Sequence, residues 1–116
     1  MSQPNGPDEW VAQYRRAADQ AAQLNDLDEQ KTAAKRLHTC YKVLRQTDEG
    51  RKAIMVLMSD VSPHVRSWAA AHSLGWAPEA ARRVLEALCD ENVFPYSFDA
   101  SMVLQEYDKG RLSFDY

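Results

Sequence analysis

The chain reads as an all-α protein, about six helices in three successive helical hairpins, and three observations carry that reading. Apolar residues recur at helical spacing along most of the chain, with period-two alternation only at the very end. Helix-start signals divide the sequence into segments of about 11 to 20 residues. Mostly short turns join the segments, and short turns set sequential helices side by side and antiparallel.

Residues 1–7, with Pro4, Gly6 and Pro7, read as a loosely attached lead-in to one helical domain over 8–116. Trp10, Tyr14, Ala17, Ala18, Ala21 and Leu24 form one apolar face, which predicts a first helix over about 8–24. Asn25 or Asp26 caps the second, whose core stripe is Leu27, Ala34, Leu37, Tyr41 and Leu44. Thr47 caps the third, with Asp48 and Glu49 placed against its positive end. The run Ala53-Ile54-Met55-Val56-Leu57-Met58 is apolar on every side, so that helix is expected to be covered all round.

Ser62-Pro63 opens the fourth helix, since proline lacks an N–H that the first turn leaves unbonded anyway. Ala77-Pro78-Glu79 opens the fifth, with Ala81, Val84, Leu85 and Leu88 inward. Residues 90–97 form a longer connection. Ser97 is expected to cap the sixth helix, which runs through Met102, Val103, Leu104 and Tyr107 to a stop at Gly110. Leu112, Phe114 and Tyr116 alternate, as in an extended tail with one apolar side.

Composition narrows the function classes. A length of 116 residues suits a single domain, and 45% hydrophobic with 27% charged residues is the balance of a globular rather than a disordered chain. No apolar run approaches the roughly 20 residues that span a bilayer. The opening MSQPNGPDEW lacks the basic start and apolar stretch of a secretory signal, so the expected location is cytoplasmic. A net charge of −3 weighs against a duplex binder, whose affinity comes largely from neutralised phosphates. Cys40 and Cys89 sit inside apolar helical patterns without Cys-x-x-Cys spacing and read as buried thiols, with a disulfide between them as the alternative.

The side chains able to do chemistry are scattered. His64 and His72 lie eight positions apart, too far for the paired ligands of a helical zinc site, and His72 falls on an apolar face as a core histidine. His38 and Cys40 point to different sides of their helix, and no glycine-rich or nucleophile-elbow motif occurs. No metal, cofactor or catalysis is expected. Arg15-Arg16, Lys35-Arg36 and Arg82-Arg83 fall on polar helix faces with acids nearby, which is how a solvated face looks; the alternative is a nucleic-acid groove.

In the segment VSPHVRSWAAAHSLGW (61–76), Val65, Trp68, Ala69, His72 and Trp76 fall on one helix face and Ala70, Ala71 and Leu74 on the other. Arg66, Ser67 and Ser73 fall at the edges, which predicts a central helix packed on both sides. Asp60, Val65-Arg66, Ala69-Ala70 and Leu74-Gly75 resemble the HEAT-type repeat, with the leucine-glycine pair one position later than usual. That resemblance implies a short α-α superhelix and a structural bond from Asp60 to Arg66. Trp68, His72 and Trp76 join that structural set from their place on the apolar face.

VRSWAAAHSLGWAPEAARRVLEAL (65–88), with Phe98, Gly110, Leu112 and Phe114, is similar to a family of small bacterial HEAT-like proteins described as a domain of unknown function. The similarity covers roughly residues 47 to 114. Some members of that family are suggested as immunity proteins against polymorphic toxins. The resemblance implies a non-enzymatic protein-binding module whose partner is another protein, such as a toxin encoded nearby. The chain is expected to be a monomer or homodimer. The alternatives are a nucleic-acid-binding module or a structural protein that self-associates through the two end faces three hairpins leave open. Second helices of hairpins line the concave side in such solenoids, which proposes Lys35, His38, Lys42, His64, Ser67, Gln105 and Glu106 as partner-binding residues. An acidic chain would associate faster with a basic partner.

Overall fold

A computed structural model describes residues 6–21 and 23–114, which form six α-helices and no strand. They are α1 Pro7–Ala21, α2 Leu27–Leu44, α3 Asp48–Val56, α4 Pro63–Ser73, α5 Pro78–Asp90 and α6 Tyr96–Asp108. A 3-10 turn, Leu57–Ser59, continues α3 toward α4. The lead-in expected at residues 1–5 and Tyr116 of the expected tail lie outside the described residues. Pro7 belongs to α1 rather than to a lead-in: it opens the helix, and the Gly6 carbonyl accepts from the N–H groups of Glu9 and Trp10.

The expected caps hold where a short polar side chain sits three residues before a free N–H. Asp26 accepts from Glu29 N at 3.0 Å, Thr47 from Gly50 N at 2.9 Å and Ser62 from Val65 N at 3.4 Å. The stop at Gly110 is a Schellman turn. Its φ is +70°, Arg111 N donates to the Glu106 carbonyl and Gly110 N to that of Tyr107. Ser97 is not a cap: it lies inside α6, and its hydroxyl donates to the Leu88 carbonyl of α5 while accepting from Val93 N. The chain enters α6 through a cis Phe94–Pro95 bond instead.

The core is one cluster. Tyr14, Ala17 and Ala18 of α1 meet Leu37, Cys40, Tyr41 and Leu44 of α2, then Ile54, Leu57 and Met58, and Ala81, Leu85 and Leu88 of α5 complete it. Burying each leucine contributes about 1.5–3 kcal/mol. At its centre is α4, which packs against α1, α3, the 3-10 turn, α5 and α6. Fully buried Ala69 and Ala70 have no bulk to hold those neighbours off. The central-helix expectation is thereby met, although Ser67 and Ser73, placed at its edges by the sequence, are buried as well.

Two apolar expectations fail at the surface. Val56 is 72% exposed: α3 ends there in the 3-10 turn, with Ile54, Leu57 and Met58 of the run buried and Met55 packed half-buried against the core. Leu27, at the first position of α2, is 63% exposed and lies outside the stripe expected to contain it. The tail does pack: Leu112 and Phe114 lie against the core, and the Phe114 carbonyl accepts from Arg45 Nη1 at 3.0 Å.

The Asp60–Arg66 bond takes a different form from the one implied by the repeat. The Asp60 carboxylate is gripped by Arg15 of α1, Nε at 2.8 Å and Nη2 at 3.0 Å, and also accepts from Ser62 N. Arg66 instead donates to the Asp60 main-chain carbonyl at 2.9 Å, and lies 3.6 Å from Glu91. A side chain from the first hairpin has taken the place expected for the local arginine.

Candidate functional site

The candidate site is a groove of about 330 Å³ between α4 and α6. Ser62 and Pro63 start α4 so that His64, Ser67, Trp68 and Ala71, spaced i, i+3, i+4, i+7, share its outer stripe. Across from them Tyr96, Asp99, Met102 and Val103 share a matching stripe of α6. Met102 of this groove is 40% exposed; Phe94, 80% exposed, and Phe98, 57% exposed, with ring centroids 6.2 Å apart, line a separate pocket with Cys89, Ser97 and Ser101.

Trp68 is shared between two environments. One part approaches the ring of buried His72, centroids 5.8 Å apart, and another lines the groove. Behind it lies the aromatic centre of the core. Tyr41 stacks on His72 at 3.9 Å and 8°, and the Tyr14 hydroxyl shares a 2.6 Å hydrogen bond with His72 Nδ1. Burial, with smaller contributions from His38 and Arg45, pushes the His72 pKa down to about 3. Through Trp68 the groove is thus backed by the buried aromatic centre of the core.

Its polar rim consists of His64, Ser67, Tyr96 and Asp99. The His64 ring stands edge-on to Tyr96, centroids 5.8 Å apart at 90°, and the Tyr96 hydroxyl donates to Glu91 at 2.7 Å. Burial raises the carboxyl pKa of Asp99, with His64 pulling it partly back. Serine, histidine and aspartate share this groove, and no hydrogen bond joins Ser67, His64 and Asp99 among the described residues. Cys40 is buried and Cys89 half-buried; both are free, and burial raises both thiol pKa values, against use as nucleophiles. No cluster of three or more His, Cys, Asp or Glu able to hold a metal ion occurs among the described residues. None of the described helices is long and apolar enough to cross a membrane.

The seven residues proposed for partner binding do not form one surface. His64 and Ser67 line the groove; Gln105 and Glu106 lie one turn beyond Met102 on α6, with Glu106 3.4 Å from Arg111. Lys35 and Lys42 are exposed on α2, outside it. His38 is turned inward: both ring nitrogens are shielded from solvent, and the ring lies 5.6 Å from that of Tyr41. Of the residues given structural roles, Trp68 and Trp76 are half-buried, and Trp76 Nε1 is buried without a hydrogen-bond partner among the described residues. Tyr96, Asp99 and Phe94 were not among the sequence candidates. The repeat of the i, i+3, i+4 spacing from His64–Ser67–Trp68 in Asp99–Met102–Val103 was the signal that could have found the second wall.

A second groove of about 410 Å³ lies between α1 and α2, lined by charges of both signs, among them Arg16, Arg36, Asp28 and Glu29. The arginine doublets are otherwise divided. Arg15 is held by Asp60, and Arg82 of α5 is bonded to Asp108 of α6. Two of the doublets thus have one arginine already engaged, while Lys35 and Arg36 are exposed with no ion pair among the described residues.

No curated protein and no solved structure matches the chain. A family model does, from Trp10 in α1 to Asp108 at the end of α6, and so takes in the first hairpin as well as the later two. The chain belongs to the family described as Domain of unknown function (DUF2019), matched over residues 10–108.

Proposed function

We propose that the chain is a non-enzymatic protein-binding module of HEAT-like build, and that its α4–α6 groove receives a segment of a partner protein. The observation that carries this reading is the apolar lining of the groove, Trp68, Ala71, Met102 and Val103, with Met102 40% exposed. Contiguous exposed apolar surface of this kind is the usual mark of an interaction site. An amphipathic segment laid between two helices would bury it. The unlinked serine, histidine and aspartate and the buried thiols support a role without chemistry of its own.

The HEAT-like build is supported by three sequential hairpins and by contact between their later second helices, α4 and α6. It departs from a regular stack at the start, where α1 rather than α2 makes the main contact with α4. On the family resemblance, the partner is a bacterial toxin that the module neutralises in the cytoplasm by covering it.

The test is co-expression with the products of neighbouring genes. A stoichiometric complex that abolishes the neighbour's toxicity is expected, and Met102→Glu, at an exposed position, should break the complex while leaving the melting temperature close to wild type. A complex that survives Met102→Glu unchanged would move the interface away from this groove. Neighbours that neither bind nor harm the cell would end the immunity reading.

A further inference from the structure

On the reading that this groove is the partner surface, we infer that its occupant presents a basic side chain, arginine ahead of lysine. The charge would be set against Asp99 and the aliphatic stem laid on Trp68, Met102 and Val103. The argument begins with the carboxylates of α6. Asp108 is bonded to Arg82 and Glu106 lies beside Arg111, whereas the Asp99 carboxylate has no hydrogen bond or ion pair among the described residues. The other acid near the groove, Glu91, is already engaged by the Tyr96 hydroxyl and faces Arg66.

No lysine or arginine lines the groove. Asp99 is therefore an exposed carboxylate beside apolar walls, sharing the groove with the His64 imidazole but with no lysine or arginine. The raised pKa of its carboxyl group reflects a partial loss of solvation that His64 only partly offsets. An incoming cation offsets the loss, and an incoming carboxylate would add to it. Trp68 and Tyr96 supply aromatic faces in the same space, which attract cations and favour a planar guanidinium over a more strongly hydrated ammonium. The apolar side chains match the methylene stem that either residue carries. The chain's net charge of −3 acts in the same direction at long range.

The experiment is an NMR titration of the intact chain with n-butylguanidinium and, separately, with n-butylurea, its neutral near-isostere. The indole signal of Trp68 and the amides of Ala71 and Met102 are followed in wild type and Asp99→Asn. The expected result is saturable shifts at these positions, with the cation binding at least about fivefold tighter than the urea and most of that ratio lost in Asp99→Asn. Equal binding of the two probes, or a ratio unchanged in Asp99→Asn, would overturn the cationic occupant while leaving an apolar docking groove in place. Absence of saturable shifts with either probe would also overturn it. The groove's role in docking is judged separately, by whether the partner complex survives Met102→Glu.

Discussion

His72 shows how one side chain ties the core to the pH of its surroundings. Only 2% of the residue is exposed, Tyr41 stacks on its ring, and its pKa is pushed down to about 3 from 6.5. Between those values the unfolded chain takes up a proton that the folded chain refuses. Stability is therefore complete above about pH 6.5, falls by about 1.4 kcal/mol per unit as pH drops, and levels off below about pH 3. Urea midpoints at pH 7 and pH 5 should differ by an amount equivalent to about 2 kcal/mol. His72→Gln should flatten that dependence even if it is less stable overall. An undiminished slope in the variant would assign the proton to another group. The sequence already placed His72 on an apolar face, because helical projection needs only local spacing. Trp68, one turn earlier on the same face, was legible too; that Tyr14 and Tyr41 would converge on His72 from α1 and α2 was not, since nothing in the spacing of one helix specifies which ring of another it meets.

At the scale of elements, starts and stops were the most legible features, since a cap is decided within three or four residues. Asp26, Thr47, Ser62 and Gly110 all act as their local sequence implied. Ser97 had the same local appearance, but α6 starts at Tyr96, so Ser97 lies inside the helix, where its hydroxyl reaches the Leu88 carbonyl. The approach of α3 to α2 was equally hidden. A Cβ added at Gly50 would lie 1.9 Å from the Leu44 carbonyl oxygen, a main-chain atom with no side-chain freedom to move aside. Gly50→Ala must therefore push the start of α3 off the end of α2, at an expected cost of about 1–3 kcal/mol. Thr47→Ala, which removes only the cap of the same helix, should cost about 1 kcal/mol. Chemical denaturation of the two variants checks the order; a milder effect at Gly50 would mean that the two helices can separate freely.

Across the whole molecule, polar ties hold the first hairpin to the second. Arg15 of α1 grips Asp60, and the Ser62 hydroxyl donates to Asp19 of α1 at 2.6 Å. Arg15, through its hydrogen bond and charge, holds the Asp60 carboxyl below its usual pKa, so this contribution is present above the ordinary carboxylate range and is lost as pH falls below it. The Arg15 side chain is 41% exposed, so solvent screens the pair. A double-mutant cycle of Arg15→Gln and Asp60→Asn should give a coupling of about 0.5–1.5 kcal/mol in unfolding free energy. Zero coupling would leave the attachment of the hairpins to apolar packing alone. The same scale decides the groove, because its walls come from helices separated in sequence by the whole of α5.

The sequence by itself determined the helices, the caps at Asp26, Thr47 and Ser62, the inward course of α4 and the burial of His72. Each of these depends on spacing within one segment and on the cost of leaving a backbone N–H or an apolar face unsatisfied. Only the tertiary structure decided that Arg15, 45 positions away, would take Asp60 from Arg66, that Val56 and Met102 would remain at the surface, and that Trp68 and Asp99 would share a groove. Those outcomes depend on how helices meet, and many side chains with equal local claims compete for each contact. The winner is set by the distances and angles that the assembled core imposes.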